Sequence, residues 1–528
     1  MGEHSDAMTG VVVDEGRSIA LHEKFFSSIG AKPSDDTKEV INGEVYYKLP
    51  YSLRTTLAAR MKGYKVRSPI HYQYKWPGFT PLVHQSITAA FFTLHRRAYC
   101  LNGLGSGKTL AALWAADYLL SIGEISRVLV ISPLSTLPDA WERTLFRMFP
   151  HLKMHVVHGA GKRALDKSHT SFAKTQIFLA NHEFTRSPER GVFTQKDKLP
   201  IDLLIVDEGA SYRALNTSKA KGLRALAKDV KYVWWMTATP TPNAPTDAWQ
   251  QADIMGTRGG VSYGAFRDLT MRKLSMYAWT ARPEAPEHVA RILSPSICFK
   301  TDECIDLPGI TYQTRVAAMS QEQKAIYTTL SRDAFVSLSN GATATALNEG
   351  IKANKLLQVA CGILYTDDSE EAEVAAVEKV KIVEEILEEA DTPVILFAPY
   401  KSVVRYLAEK FKKYSPGVIM GDVPLRERKK LFDAVQNGSC KLLIAHPKTM
   451  AHGITLTRSA CIIWYAPVYS NELYEQANGR IYRQGQTKHC TIIHITSCAV
   501  EREIYYRLEH RQKMQGAVLE AVKTVANK

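Results

Sequence analysis

The sequence predicts an α/β protein of two parallel-sheet lobes, joined by a helical connector and preceded by a small N-terminal accessory element. Three observations predict it. From about residue 80 to 250, short apolar runs (RVLVISP, TQIFLAN, IDLLIVDE, YVWWMTAT) alternate with helical patterns such as GKTLAALWAADYLL and TSKAKGLRALAKD. The same rhythm returns from about 380 to 510, where PVILFA, GVIMG, KLLIAHP, CIIWYAP and TIIHITS are separated by helical stretches. Each run is apolar on both faces, the mark of strands covered by helices on either side of a parallel sheet.

Taken in order, residues 1–76 form the accessory element, 77–250 the first lobe, 251–375 a mainly helical connector, 376–513 the second lobe and 514–528 a C-terminal tail. The first 40 residues are polar and predict no regular structure. Residues 41–76 carry seven Lys/Arg against the single acid Glu44, interleaved with Tyr46, Tyr47, Tyr51, Tyr64, Tyr72, Tyr74 and Trp76. Two readings stay open there. The basic groups follow phosphates while aromatics stack on bases, or the tyrosines pack a small β-rich extension onto the first lobe. Within the connector, EEAEVAAVEKVKIVEEILEEA predicts an amphipathic helix with an acidic outer face.

Composition narrows the class of partner. With 67 Lys+Arg against 53 Asp+Glu, the formal charge is +14, which suits a polyanion. The eight cysteines are scattered, with no C-x-x-C pair and no zinc-like spacing beside histidines, and predict reduced thiols of an intracellular, cytoplasmic protein. The opening MGEHSDAMTGVVVDEG lacks the layout of a secretion signal. The apolar helix candidate 110–120 is too short for a bilayer and contains Asp117, so no membrane association is expected.

Three motifs carry chemistry. In CLNGLGSGKTLAALW, a strand leads into glycines and a helix leads out, the setting a phosphate loop requires. Gly103, Gly105 and Gly107 free the backbone amides to surround an oxyanion at the helix N-terminus. Lys108 is placed for the β/γ-phosphates and Thr109 for Mg2+. The strict pattern wants glycine where Asn102 stands, but that position only forms the loop entrance. In LLIVDEGA, an apolar strand ends in Asp207, positioned to hold Mg2+ through water, and Glu208, positioned to activate the attacking water. In QANGRIYRQGQ, Arg480 and Arg483 are three apart and share one face of a predicted helix; offered across a cleft, such a pair forms arginine fingers.

Together these segments resemble the Swi/Snf family of ATP-driven DNA translocases in helicase superfamily two, over about residues 77–512. The resemblance implies two RecA-like lobes, ATP and Mg2+ as cofactors, and a largely monomeric motor acting on nucleic acid, above all duplex or branched DNA. PLVHQ is similar to the adenine-reading segment, with Gln85 as the base contact. LNGLGSGKT matches motif I, which implies nucleotide binding by Gly103, Gly105, Ser106, Gly107, Lys108 and Thr109. VLVISPLSTLPDAW resembles motif Ia. DEGASYRALNTSKAKGLRAL resembles the motif II region, and MTATPTPNAPTDAW resembles motif III, where Thr237 and Thr239 would link hydrolysis to DNA contact. MAHGITLT stands at motif V, with Gly453 and Thr455 as coupling residues. Motif VI is matched by Gln476, Ala477, Arg480, Arg483, Gly485 and Gln486. Ala210 and Tyr482 replace histidines of motifs II and VI, and Tyr469, Ser470 and Asn471 replace a Trp-Asn-Pro; these departures bear on coupling and on the choice of nucleic acid. The implied activity is fork or branch remodelling, reannealing or displacement of bound proteins. The alternatives are a strand-separating DNA or RNA helicase of the same superfamily and a binding module that has lost hydrolysis.

Overall fold

A computed structural model describes residues 11–13, 16–29, 32–157, 174–186, 193, 199–274, 279–304, 306–339, 346–365, 371–450 and 454–526. The N-terminal element is a four-stranded antiparallel sheet of β1 (Val11–Val13), β2 (Ser18–His22), β3 (Lys38–Ile41) and β4 (Glu44–Pro50), ordered β1-β2-β4-β3. Its core is aromatic: Phe25, Phe26, Tyr51 and Tyr64 are buried with Ile19 and Leu21. Tyr74 and Trp76 leave this element to meet Tyr118 and Trp114 of the first lobe edge-on, at centroid distances of 5.9 and 5.3 Å. The packing reading accounts for these rings, whereas Tyr72 remains exposed.

The first lobe is a seven-stranded sheet. It contains β5 (Arg97–Cys100), β6 (Val128–Ser132), β7 (Met154–Val157), β8 (Ile177–Asn181), β9 (Leu203–Val206) and β10 (Tyr232–Met236). After a small hairpin of β11 (Met271–Lys273) and β12 (Trp279–Ala281), the chain adds β13 (Ser296–Ile297) beside β5. The order is β13-β5-β10-β9-β6-β8-β7, and every pairing is parallel. All residues of β6, β9 and β10 are buried, as the two-sided apolar runs require.

The second lobe has six parallel strands in the order β14-β21-β20-β17-β19-β18. They are β14 (Ile310–Val316), β17 (Val394–Phe397), β18 (Gly417–Ile419), β19 (Leu442–Ala445), β20 (Cys461–Trp464) and β21 (Cys490–Thr496). A short hairpin of β15 (Ile363–Tyr365) and β16 (Glu371–Glu373) precedes β17. The acidic amphipathic segment is the helix Val377–Glu389.

Two expected boundaries shift. Residues 251–375 do not behave as one connector, because β13 completes the first sheet and β14 forms the edge of the second. The expected tail 514–528 is not separate as far as it is described: residues 514–526 continue the 28-residue helix Ala499–Ala526, which leaves the second lobe and buries Val518 and Val522 in the first lobe's core. Apolar side chains four apart on one helical face explain that return. Among the described residues, no helix is long and apolar enough to cross a membrane.

Candidate nucleotide site between the lobes

In an open parallel sheet, ligands lie beyond the carboxyl ends of the strands, and here the three chemical segments of the first lobe emerge side by side. β5 runs into the glycine loop, β9 into Asp207 and Glu208, and β10, between them, into Thr237. Gly105 and Gly107 adopt φ of 75° and 80°, which non-glycine residues resist. They turn the loop so that the helix Lys108–Ser121 starts beneath it. Lys108 Nζ donates to the carbonyl oxygens of Asn102 and Gly103, both at 2.9 Å. Thr109 is half-buried in the first turn of the same helix.

Asn102 is a tie, not a defect. Its Nδ2 donates to Thr88 Oγ1 at 2.9 Å, and its Oδ1 accepts from the Phe299 amide at 3.0 Å. It therefore locks the loop entrance to the chain leaving β13. Gly103 is confined by Thr301, whose Oγ1 would clash with any added Cβ. Ser106 Oγ closes the turn onto the Gly103 carbonyl at 2.9 Å.

Gln85, expected to read adenine, is buried against the loop. Its Oε1 accepts from the Leu82 amide at 3.1 Å, and its Nε2 donates to the Ser106 carbonyl at 3.4 Å. His84 Nε2 also meets that carbonyl at 2.9 Å. Sequence reasoning missed His84, although it adjoins Gln85 in the segment already singled out.

Asp207 is buried and held by three donors: Ser132 Oγ at 2.9 Å, Trp141 Nε1 at 3.0 Å and the Glu208 amide at 3.0 Å. Ser132 and Trp141 were not anticipated; both lie in the motif Ia segment, where their neighbours in sequence say nothing of Asp207. Glu208 takes a left-handed φ of 48°, a strained setting typical of functional turns. Burial first, and then the Asp207 charge, push its carboxyl up to about 7, with Glu472 adding to the rise and Lys108 and Arg480 opposing it.

The second lobe supplies the arginines, though not from a helix face. The helix Asn471–Asn478 ends before them, and Arg480 and Arg483 lie in the turns that follow. Gly479 caps the helix and sits against the glycine loop, where a Cβ would come within 2.9 Å of Leu104 Cδ1. Both guanidiniums still converge, since Arg480 Nη1 and Arg483 Nη1 donate to the Ile454 carbonyl at 3.1 and 2.8 Å. Arg480 Nε is held by the Gln476 carbonyl at 2.8 Å. Burial and the neighbouring Arg483 press the Arg480 pKa downward. A guanidinium keeps its proton regardless, so the two positive charges are held close and poorly solvated. A Cβ built on Gly105 would lie 3.4 Å from Arg483 Cβ and 3.9 Å from its Nε. The arginine turn thus faces the phosphate loop.

The residues fit a bound nucleotide and its cation. Glu208 Oε2 and Gln476 Nε2 are buried without a hydrogen-bond partner, and such atoms normally have one. A carboxylate oriented by three protein donors, as Asp207 is, suits a water-mediated hold on Mg2+. A cavity of about 280 Å³ adjoins the loop, lined in part by Gly103, Leu104, Glu475, Gly479 and Tyr482. A larger one, about 820 Å³, lies on the second lobe among Tyr312, Tyr474, His494 and Tyr505; only the smaller touches the glycine loop, through Gly103 and Leu104, and neither is lined by Lys108, Asp207, Glu208, Arg480 or Arg483.

Thr237 and Thr239 are fully enclosed and touch no surface. The Thr237 amide donates to the Cys100 carbonyl at 3.1 Å and its Oγ1 accepts from the Thr239 amide at 3.1 Å. Ala238 between them accepts a 3.5 Å bond from Gln515 of the C-terminal helix. Thr455 is exposed, and Gly453 lies outside the described residues.

Comparison with known proteins identifies the family. The SNF2-related domain matches residues 101–363 and the helicase conserved C-terminal domain matches residues 378–485. The chain is similar to putative protein p41 of Acyrthosiphon pisum secondary endosymbiont phage 1, 26% identical over 84% of this chain and 99% of that protein. It is 22% identical to the putative ATP-dependent helicase/translocase YwqA of Bacillus subtilis, over 80% of this chain and 46% of the relative. It is also 22% identical to SWI/SNF-related matrix-associated actin-dependent regulator of chromatin subfamily A-like protein 1 of Drosophila melanogaster, over 74% of this chain and 49% of the relative. The chain therefore spans nearly all of the phage protein and about half the length of the other two. Among solved structures it is similar to the Sulfolobus solfataricus SWI2/SNF2 ATPase core in complex with dsDNA, with 20% identity, 86% of this chain and 96% of that chain covered, and a TM-score of 0.39. With an SNF2-related domain followed by a helicase C-terminal domain, the chain belongs to the SNF2-related family of helicase-type ATPases.

Proposed function

We propose that the protein is an ATP-driven translocase on double-stranded DNA, which acts by remodelling forks or branches, reannealing strands or displacing bound proteins. The observation that carries the reading is the juxtaposition of Arg483 with Gly105, because it assembles one hydrolytic site from both lobes. In this reading Lys108 and the loop from Gly103 to Thr109 hold the phosphates, Thr109 and Asp207 hold Mg2+, and Glu208 orients and deprotonates the attacking water. Bound Mg2+ would supply charge neutralisation at the β/γ-phosphates. Arg480 and Arg483 stabilise transition-state charge, and Gln476 offers its unpaired amide to the same centre.

Because the arginines arrive from the other lobe, turnover depends on closure, and a polymer gripped by both lobes promotes closure. The +14 charge supports a polyanion such as DNA as that polymer. The eight free thiols support an intracellular, cytoplasmic setting. The deciding experiment measures ATP turnover with single-stranded, blunt duplex and forked DNA and with RNA, alongside displacement of a triplex-forming strand. Stimulation by blunt duplex with triplex displacement is expected. Stimulation by single strands or RNA alone, with strand separation, would replace this reading by a strand-separating helicase.

A further inference from the structure

An ion pair joins the turn that carries Glu208 to the helix that leads into the arginines. Glu208 opens the 3-10 turn Gly209–Tyr212, and Arg213 caps it. Arg213 Nη1 donates to the Ala210 carbonyl at 3.1 Å, stiffening its own turn, and to Glu472 Oε2 at 2.9 Å. Glu472 stands in the first turn of the helix Asn471–Asn478. In the last turn of that helix, the Gln476 carbonyl holds Arg480 Nε at 2.8 Å. A short bonded path thus runs from Glu208 through Arg213 and Glu472 to Arg480.

The competing partners are already engaged. Asp247, which also feels Arg213, has Oδ2 taken by the Asn243 and Ala244 amides, and Arg511 donates to the Tyr469 carbonyl. The pair is also well shielded, its side chains 31% and 14% exposed, unlike the freely solvated surface pairs that contribute little. The ion pairs of Lys300 with Glu520 and Lys523 with Glu303 tie the end of the C-terminal helix to the chain leaving β13, not to the turn of Glu208. Among the described residues, Arg213 carries the ion pair from this turn to the second lobe.

We propose that Arg213 and Glu472 are positioning residues that latch the two lobes in register, so that Glu208 and the two arginines meet the same phosphate only when the pair forms. The proposal rests on the roles assigned above to Glu208, Arg480 and Arg483. Neither latch residue touches the reacting atoms; each acts by orienting those that do. A pair needed for the closed arrangement affects turnover more than nucleotide binding.

The test compares wild type with Arg213→Gln, Glu472→Gln, the conservative Arg213→Lys, and the double exchange Arg213→Glu/Glu472→Arg, under duplex-stimulated conditions. Each Gln variant is expected to lower kcat by about tenfold with little change in KM for ATP. Arg213→Lys should retain most of the rate, and the double exchange should recover most of it. Undiminished kcat in the Gln variants, or a double exchange no better than either, would overturn the latch while wild-type turnover stands. Wild type without any ATP turnover would instead overturn the hydrolytic reading on which the latch depends.

Discussion

Lys108 and Arg483 approach the same glycine loop from opposite lobes, and their loss separates two functions. Lys108 is bonded to two loop carbonyls and supplies the cradle's positive charge. Lys108→Ala is expected to lower turnover by about 10³-fold or more, measured as phosphate release. Arg483 is anchored by the Ile454 carbonyl and lies opposite the loop. Arg483→Ala is therefore expected to leave the nucleotide Kd within about threefold while turnover falls by about 10³-fold, read by equilibrium binding and single-turnover hydrolysis. As the proposed base, Glu208 would set the pH response. With its pKa raised to about 7, it is protonated and inactive as a base below that value, so kcat falls as pH drops through about 7. Stability runs the other way: between its ordinary value of 4.5 and about 7 the folded state binds the extra proton. This group's contribution therefore declines as pH rises through that window. Glu208→Gln should remove both slopes.

At the scale of elements, the helices and strands around the site are tied by buried polar groups whose partners lie far away in sequence. Lys379, in the helix Val377–Glu389, pairs with Glu501 at 2.5 Å and donates to the Tyr465 carbonyl at 2.9 Å. Glu501 in turn accepts from the Ser497 and Cys498 amides, so one buried carboxylate fixes the start of the C-terminal helix against β20 and β21. Burial works against the Lys379 charge, but Glu501 outweighs it and the pKa is raised. Glu501→Gln leaves that ammonium uncompensated and is expected to cost about 3–5 kcal/mol in denaturant unfolding. Replacing both partners by methionine and leucine should cost far less, because no stranded charge remains.

The whole molecule is closed by the helix Ala499–Ala526. It begins on the second lobe, passes Gln515 between Glu475 and the Ala238 carbonyl, and ends with Val518 and Val522 in the first lobe's core. The lobes thus share a hydrophobic element besides the nucleotide cleft, and their unfolding should be coupled. Val518→Asp places an unpaired charge in that core. The expected outcome is a calorimetric profile that separates from one transition into two, with the first lobe melting earlier.

By itself the sequence determined the two-lobe α/β architecture, because apolar runs buried on both faces permit little besides a parallel sheet. It also determined the candidate chemical groups, because a glycine loop ending in Lys-Thr and a strand ending in Asp-Glu are local patterns. Tertiary structure decided what local pattern cannot carry. Asn102 became a tie to Phe299, Gln85 a prop beneath Ser106, and Trp141 a donor to Asp207, each across tens to hundreds of residues. The arginines lie beyond the end of their predicted helix, where Gly479 packs on Leu104 across the interface between the lobes. The ion pair of Arg213 and Glu472 spans 259 positions. Periodicity reports the burial of a face, whereas the identity of the atom across the interface depends on how separate sheets are brought together.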